Sequence, residues 1–387
     1  MNANPPVSSI AKASGRNLVI IMVIAVSCVS CGPHQKQTAT RFAQPDEILN
    51  PKHPDTLTRR HNLANVLYYK KAEYAEAEAE FRAAIKLREA VLGPQHPDTL
   101  QSRHDLARTL NIQDHLQGKS AEAEAEYRAV LKLREEVLGS RHPDTLQSRH
   151  NLAEVLNTYC WRFRGECVQA CKHAEAATEF GVVAKLREEV LGAKHPDTLA
   201  SRERLAYALR ILKKYDESEA EYRVLCKLRE EALGDRHLDT LNDRHSLALV
   251  LARQGKHAEA ETEYRAVWKL SKEVRGVSSV QTLLSHCGLA DALSAQGKLA
   301  EAEAEYHAVL ELQKKFWGFK FSYALSCRHN LAVTLKALGK YAEAEAECRE
   351  TLKLREEVLG KDHPDTLNTR ELLRSIEEKK NETNPPP

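Results

Sequence analysis

Residues 241–283, LNDRHSLALVLARQGKHAEAETEYRAVWKLSKEVRGVSSVQTL, decide how the rest of the chain is read. Their parts recur. The landmark HPDTL stands intact at 53–57, 96–100, 142–146, 195–199 and 363–367. Weaker forms stand at 237–241 (HLDTL), 279–283 (SVQTL) and 321–325 (FSYAL). The closing leucines, Leu57, Leu100, Leu146, Leu199, Leu241, Leu283, Leu325 and Leu367, are separated by 43, 46, 53, 42, 42, 42 and 42 residues. That is seven units of one length, with insertions of 1, 4 and 11 residues in the first three. A fixed period in this range marks a solenoid, in which neighbouring units bury surface that none can bury alone.

Each unit predicts two helices. The proline after His suits the first helical position, and the next Asp suits the positive end of the helix dipole. The first helix carries Leu241, Leu247, Ala248 and Leu251 and stops at Gly255, which can take a left-handed conformation. In the second helix Ala260, Tyr264, Val267, Trp268 and Leu270 make one apolar stripe on a charged rod. Ala248 and Ala260, one on each helix, permit close approach.

The small residue, the second alanine and the aromatic four residues later resemble the tetratricopeptide pattern. They are Ala64/Ala77/Phe81, Ala107/Ala123/Tyr127, Ala206/Ser218/Tyr222, Ala248/Ala260/Tyr264 and Ala290/Ala302/Tyr306; unit seven keeps Ala332 and Ala344 but has Cys348. The 42-residue length, with LREEVLG before HPDTL, is similar to the kinesin-light-chain type. The resemblance implies an all-α, right-handed superhelical solenoid over residues 46–380: seven helix pairs and a polar C-terminal capping helix. It also implies an inner groove lined by the first helices, where a partner protein or peptide binds.

Composition agrees with an extended repeat. Charged residues make up 29% of the 387, and the formal net charge is only +2. Acids and bases alternate along the helices, so no basic block points to nucleic acid.

The two ends differ from the array. No acidic residue precedes Asp46; Lys12 and Arg16 lead into the apolar run Leu18–Val26, which Ser27 and Cys28 follow. Residues 1–31 thus read as a signal or membrane anchor, because the run is well short of the ~20 residues needed to span a bilayer. Ala25-Val26-Ser27-Cys28 resembles a bacterial lipobox with Cys28 as the lipidated residue, although leucine is preferred where Ala25 stands. An uncleaved segment holding the chain to the cytoplasmic face of a membrane is the alternative. Residues 32–45 read as a flexible tether and 381–387 as a disordered tail.

The longest insertion, within Asn157–His173, holds Cys160, Cys167, Cys171 and His173. The irregular spacing is weak for zinc; a disulfide and free thiols both remain open. Cys226, Cys287, Cys327 and Cys348 fall in helices and read as small packing residues.

No catalytic motif emerges. Gly-Lys pairs at 118, 255, 297, 339 and 360 lack the glycine five residues earlier that a phosphate-binding loop requires, and HExxH, GxSxG and GxGxxG are absent. The sequence supports neither an enzyme nor a cofactor. Carried over from the family, one groove position holds His61, His104, His150, Glu203, His245, Cys287 and His329. The histidines read either as ligand contacts or as bonds between adjacent repeats. Positions four and seven residues on vary, and they contribute Arg108, Tyr207, Tyr68, Asn111, Asn157 and Arg210; Tyr69 adjoins them. These varied residues are the expected partner contacts. The arginines at 60, 103, 149, 202, 244 and 328 read as structural.

Two functions follow. One is a membrane-tethered scaffold that binds a protein or peptide. The other, implied by the resemblance to bacterial kinesin-light-chain proteins, is an adaptor between a bacterial tubulin-like filament and the membrane, which requires a cytoplasmic array.

Overall fold

The computed structural model describes residues 54–117, 119–158, 170–316 and 322–383. Their regular structure is entirely helical. The first helices of the pairs are α1 (Pro54–Val66), α3 (Pro97–Gln117), α5 (Pro143–Thr158), α7 (Pro196–Ile211), α9 (Leu238–Arg253), α11 (Val280–Ala295) and α13 (Ser322–Ala337). The second helices are α2 (Tyr74–Leu92), α4 (Ser120–Leu138), α6 (Ala170–Leu191), α8 (Tyr215–Leu233), α10 (His257–Arg275), α12 (Leu299–Phe316) and α14 (Tyr341–Val358). Helix α15 (Pro364–Thr383) closes the array and passes the Lys380 at which the sequence places its end. From α2 onward each helix packs on the next, and first helices also touch each other, as α3–α5, α9–α11, α11–α13 and α13–α15 do. The fold is a solenoid with first helices on one face and second helices on the other.

HPDTL is a corner between two helices, and each of its residues has a task there. The second helix ends at a glycine with positive φ, 95° at Gly93 and 85° at Gly139, where a side chain is disfavoured. Three residues later the histidine caps the next helix. Its Nδ1 accepts the backbone N–H of Asp98, Asp144, Asp197, Asp239 and Asp365 in turn, each at 3.2 Å. Proline takes the first helical turn, where its missing N–H costs nothing. The threonine hydroxyl donates back to the glycine carbonyl, at 2.9 Å from Thr99 to Gly93 and from Thr240 to Gly234. The leucine enters the core in seven copies, where Leu57, Leu100, Leu146, Leu199, Leu241, Leu283 and Leu325 are buried, whereas Leu367 of the last copy is exposed.

The small–small–aromatic triplets sit where each pair crosses. Ala64, Ala77, Phe81, Ala107, Ala123, Ala248, Ala260, Ala290 and Ala302 are wholly buried. Unit three, whose triplet the insertion obscures in the sequence, contributes the buried Ala153, Ala176 and Phe180. Gly288 lies inside α11 for a local reason: a Cβ there would come within 2.6 Å of the Tyr264 ring.

The single inserted residue of unit one is absorbed as a π-helical turn, Leu67–Lys71, continuing α1. Ala72, at φ 53°, then takes the left-handed position that Gly255 fills in unit five. The buried apolar residues form two clusters that divide at α7. Leu205 and Ala208 pack with the N-terminal cluster, and Leu199 and Ala206 with the C-terminal one.

Replacing Ala248 or Ala302 by leucine forces extra carbons into a close helix contact. Each change is expected to lower stability by roughly 1–3 kcal/mol. Unchanged denaturation midpoints in both variants would contradict the packing described.

Candidate partner-binding face

The first-helix face is held from behind by a polar rung at each repeat junction. The arginine of LREEVLG crosses from the second helix to the next first helix and is buried. Arg88 donates to the Asp98 carbonyl at 2.6 Å and to Ser102 Oγ at 2.7 Å. Arg134 makes the same pair with Asp144 and Ser148, both at 2.8 Å, and Arg187 with Asp197 at 3.1 Å and Ser201 at 2.8 Å. Arg355 repeats it with Asp365 and Thr369. The same hydroxyl meets the histidine of the preceding first helix. The pairs are His61–Ser102 and His104–Ser148 at 3.2 Å, His150–Ser201 at 3.4 Å, His245–Ser285 at 3.0 Å and His329–Thr369 at 3.3 Å. His61, His104, His150 and His245 also set their rings edge-on to Phe81, Tyr127, Phe180 and Tyr264.

Three junctions depart from this pattern; at the fifth, His245 and Ser285 remain but the buried Ser271 replaces the arginine. At the fourth, Glu203 and Asp243 stand in the histidine and serine positions, with Arg229 between them at 2.6 and 2.9 Å. At the sixth, Cys287 and Cys327 occupy those positions and form a disulfide, and the buried Gln313 stands where the arginine would be. The reading of these two cysteines as packing residues is therefore replaced. The signal was present in the sequence: Cys287 lies in the histidine column and Cys327 in the serine column. Cys226 and Cys348 are buried free thiols.

The varied residues form two groups. The Arg108 guanidinium lies 4.6 Å from the Tyr68 ring centroid and 4.9 Å from that of Tyr69. It donates to Tyr69 Oη at 2.5 Å and pairs with Asp105 at 2.9 Å. Tyr69 is 65% exposed. In unit four the Arg210 guanidinium lies 4.8 Å from the Tyr207 centroid, and no described carboxylate pairs with it. Asn111 is half-buried beside the first group. Asn157 is buried, and its Oδ1 accepts from His173 Nδ1 at 3.0 Å. The side chains of Cys160, Cys167 and Cys171 lie outside the described residues, as does Cys28. Among the described residues no His, Cys, Asp and Glu group suits a metal ion.

The other regular charges tie repeats together. Lysines of four of the Gly-Lys pairs meet the preceding second helix: Lys256 with Glu219 and Lys298 with Glu261 at 2.7 Å, Lys340 with Glu303 at 2.6 Å, and Lys119 with Glu78. Arg60, Arg103, Arg149, Arg202, Arg244 and Arg328 pair with second-helix glutamates. His286 replaces this arginine in unit six and meets Glu305 at 2.6 Å.

Family models described as tetratricopeptide repeat match residues 56–98, 99–144 and 324–365, and 201–267 and 238–315, together more than half of the chain. The chain belongs to the tetratricopeptide-repeat family. Among solved structures it is similar to a putative kinesin light chain from Podosopora anserina with nearly identical TPR-like repeats, at 25% identity and TM-score 0.49, over 57% of this chain and 98% of that one. It is also similar to BtubC (BKLC) from P. vanneervenii, at 14% identity and TM-score 0.48, over 67% of this chain and 92% of that one. A Rap protein complexed with competence and sporulation factor aligns at 12% identity and TM-score 0.44, over 85% of this chain and 99% of that one. No curated protein matches. Tetratricopeptide arrays are protein–protein interaction scaffolds, and the architecture here is of that kind.

Burial sets the charge state of the tetratricopeptide rungs. It lowers the pKa of His104 and His150 to about 3, with Arg134 and Arg187 respectively adding to the effect. His245 and His329 fall to about 4. A lowered histidine pKa favours folding above 6.5, and that contribution is lost as pH falls toward 3–4. Asp243 works in the opposite sense. Burial outweighs Arg229 and raises it to about 8, so its contribution is complete below the ordinary aspartate range and lost as pH rises through 8. Unfolding midpoints of the wild type and of His104→Asn/His150→Asn, followed from pH 7 to 5, isolate the histidines. The wild type is expected to lose on the order of 1–2 kcal/mol more per histidine. Parallel pH profiles would contradict the neutral rung.

Proposed function

We propose that the chain is a membrane-tethered scaffold whose first-helix face captures a partner protein or peptide. One observation carries the reading: Tyr69 with Arg108, and Tyr207 with Arg210, place aromatic and guanidinium groups on that face. Such side chains commonly anchor protein interfaces. The second-helix face instead spends its charges on cross-repeat ion pairs, which are similar from unit to unit and discriminate poorly between partners.

Tethering is assigned to residues 1–31, with Cys28 as the lipidated residue. The Cys287–Cys327 disulfide supports an exported array, because disulfides persist chiefly in oxidising compartments. The filament-adaptor alternative requires a reducing cytoplasm. No helix among the described residues is long and apolar enough to cross a membrane. Mass spectrometry of the protein from native membranes is expected to find a chain beginning at acylated Cys28. An intact Met1 and unmodified Cys28 would reject the lipoprotein form.

Replacing Tyr69, Arg108, Tyr207 and Arg210 together by alanine is expected to abolish partner capture in a pull-down from solubilised membranes while leaving circular dichroism unchanged. Replacing the exposed second-helix residues Lys132, Glu136, Lys227 and Glu230 is expected to change capture little. The reverse pattern would move the binding surface to the second helices.

A further inference from the structure

The sixth junction is built differently from its neighbours. Four of the other junctions hold a first helix to the next through a histidine, a hydroxyl and a buried arginine. The fifth retains His245 and Ser285 but has Ser271 at the arginine position, and the fourth uses two carboxylates around Arg229. At the sixth, both ends of the polar pair are cysteines, 40 residues apart, and no arginine is present behind them. The disulfide joins α11 to α13, the two first helices that meet there. We propose that Cys287–Cys327 is a redox-responsive staple, and that a dithiol reductant opens it and loosens the junction of repeats six and seven alone.

The chemistry balances with that single reactant class. Cys327 is wholly buried, while Cys287 is half-buried, so an attacking thiolate reaches Cys287 Sγ first. An S–S bond forms between the reductant and Cys287, and Cys327 leaves as the thiolate and takes up a proton. The second thiol of the reductant then displaces Cys287 and closes the reductant's own disulfide. Two electrons and two protons pass to the protein. The reverse exchange, with a disulfide oxidant, restores the staple. After reduction the junction holds two thiols, which are weak hydrogen-bond donors, and Gln313 in place of an arginine. Nothing at that level reproduces the polar rung. In a solenoid each repeat contacts only its neighbours, so loosening stays local.

The test uses the full chain, purified without reductant after expression in an oxidising compartment. Peptide mapping after alkylation is expected to recover a 287–327 cross-link, with Cys226 and Cys348 alkylated only after denaturation. Dithiothreitol is expected to lower the melting temperature by at least about 5 °C and to speed amide exchange in α11–α13 while leaving α3–α5 unchanged. The variant Cys287→His/Cys327→Ser rebuilds the rung used elsewhere, and its α11–α13 exchange should ignore dithiothreitol. Alkylation of both cysteines without prior reduction would overturn the proposal. So would equal responses of wild type and variant, which would assign the redox sensitivity to other cysteines.

Discussion

A buried arginine with a shared hydroxyl is the interaction on which this array depends. Each repeat must present polar backbone at the start of its first helix to the repeat before it. The carbonyls there already accept the helix's own N–H groups, and a buried guanidinium adds a charge-assisted bond to their second lone pair. Arg88, Arg134, Arg187 and Arg355 reach across, donate to a carbonyl and grip a serine or threonine. The hydroxyl in turn fixes the histidine of the previous helix. Register between repeats is thereby specified by directional bonds, whereas the apolar stripes alone would tolerate sliding.

Much of this was legible in the sequence. Periodicity located the helix pairs, and the recurrence of alanine with an aromatic identified their crossing. The inserted residue near Tyr69 was visible, although its form as a π-helical turn was not. The hydroxyl partners of His61, His104, His150, His245 and His329 could not be read from the sequence. Those partners lie in the next repeat, 40 to 51 residues away, and only packing brings them together. The caps made by His96, His142 and His195 were missed for a different reason: proline at the next position explained the helix start without them. Cys287 and Cys327 looked like packing residues because each was weighed alone, without its place in the repeat columns.

The division between the faces has a functional consequence. Charges on the second helices recur in the same pairs from repeat to repeat, so they stiffen the array and carry little information. First-helix positions beyond the rung are free to differ. Unit one offers exposed Tyr69 beside Arg108, unit four Tyr207 beneath Arg210, and unit six Asp291, which accepts from Asn330 at 2.8 Å. A uniform scaffold thus displays a non-uniform surface, which recognition of one extended partner requires.

The rung itself is tested most directly by removing one arginine and watching where the array opens. In Arg134→Met, native-state hydrogen exchange should accelerate in α4 and α5 and leave α9–α15 at wild-type protection. Uniform loss of protection along the chain, or unchanged protection at the α4–α5 junction, would contradict the claim that this junction is held by its own buried arginine.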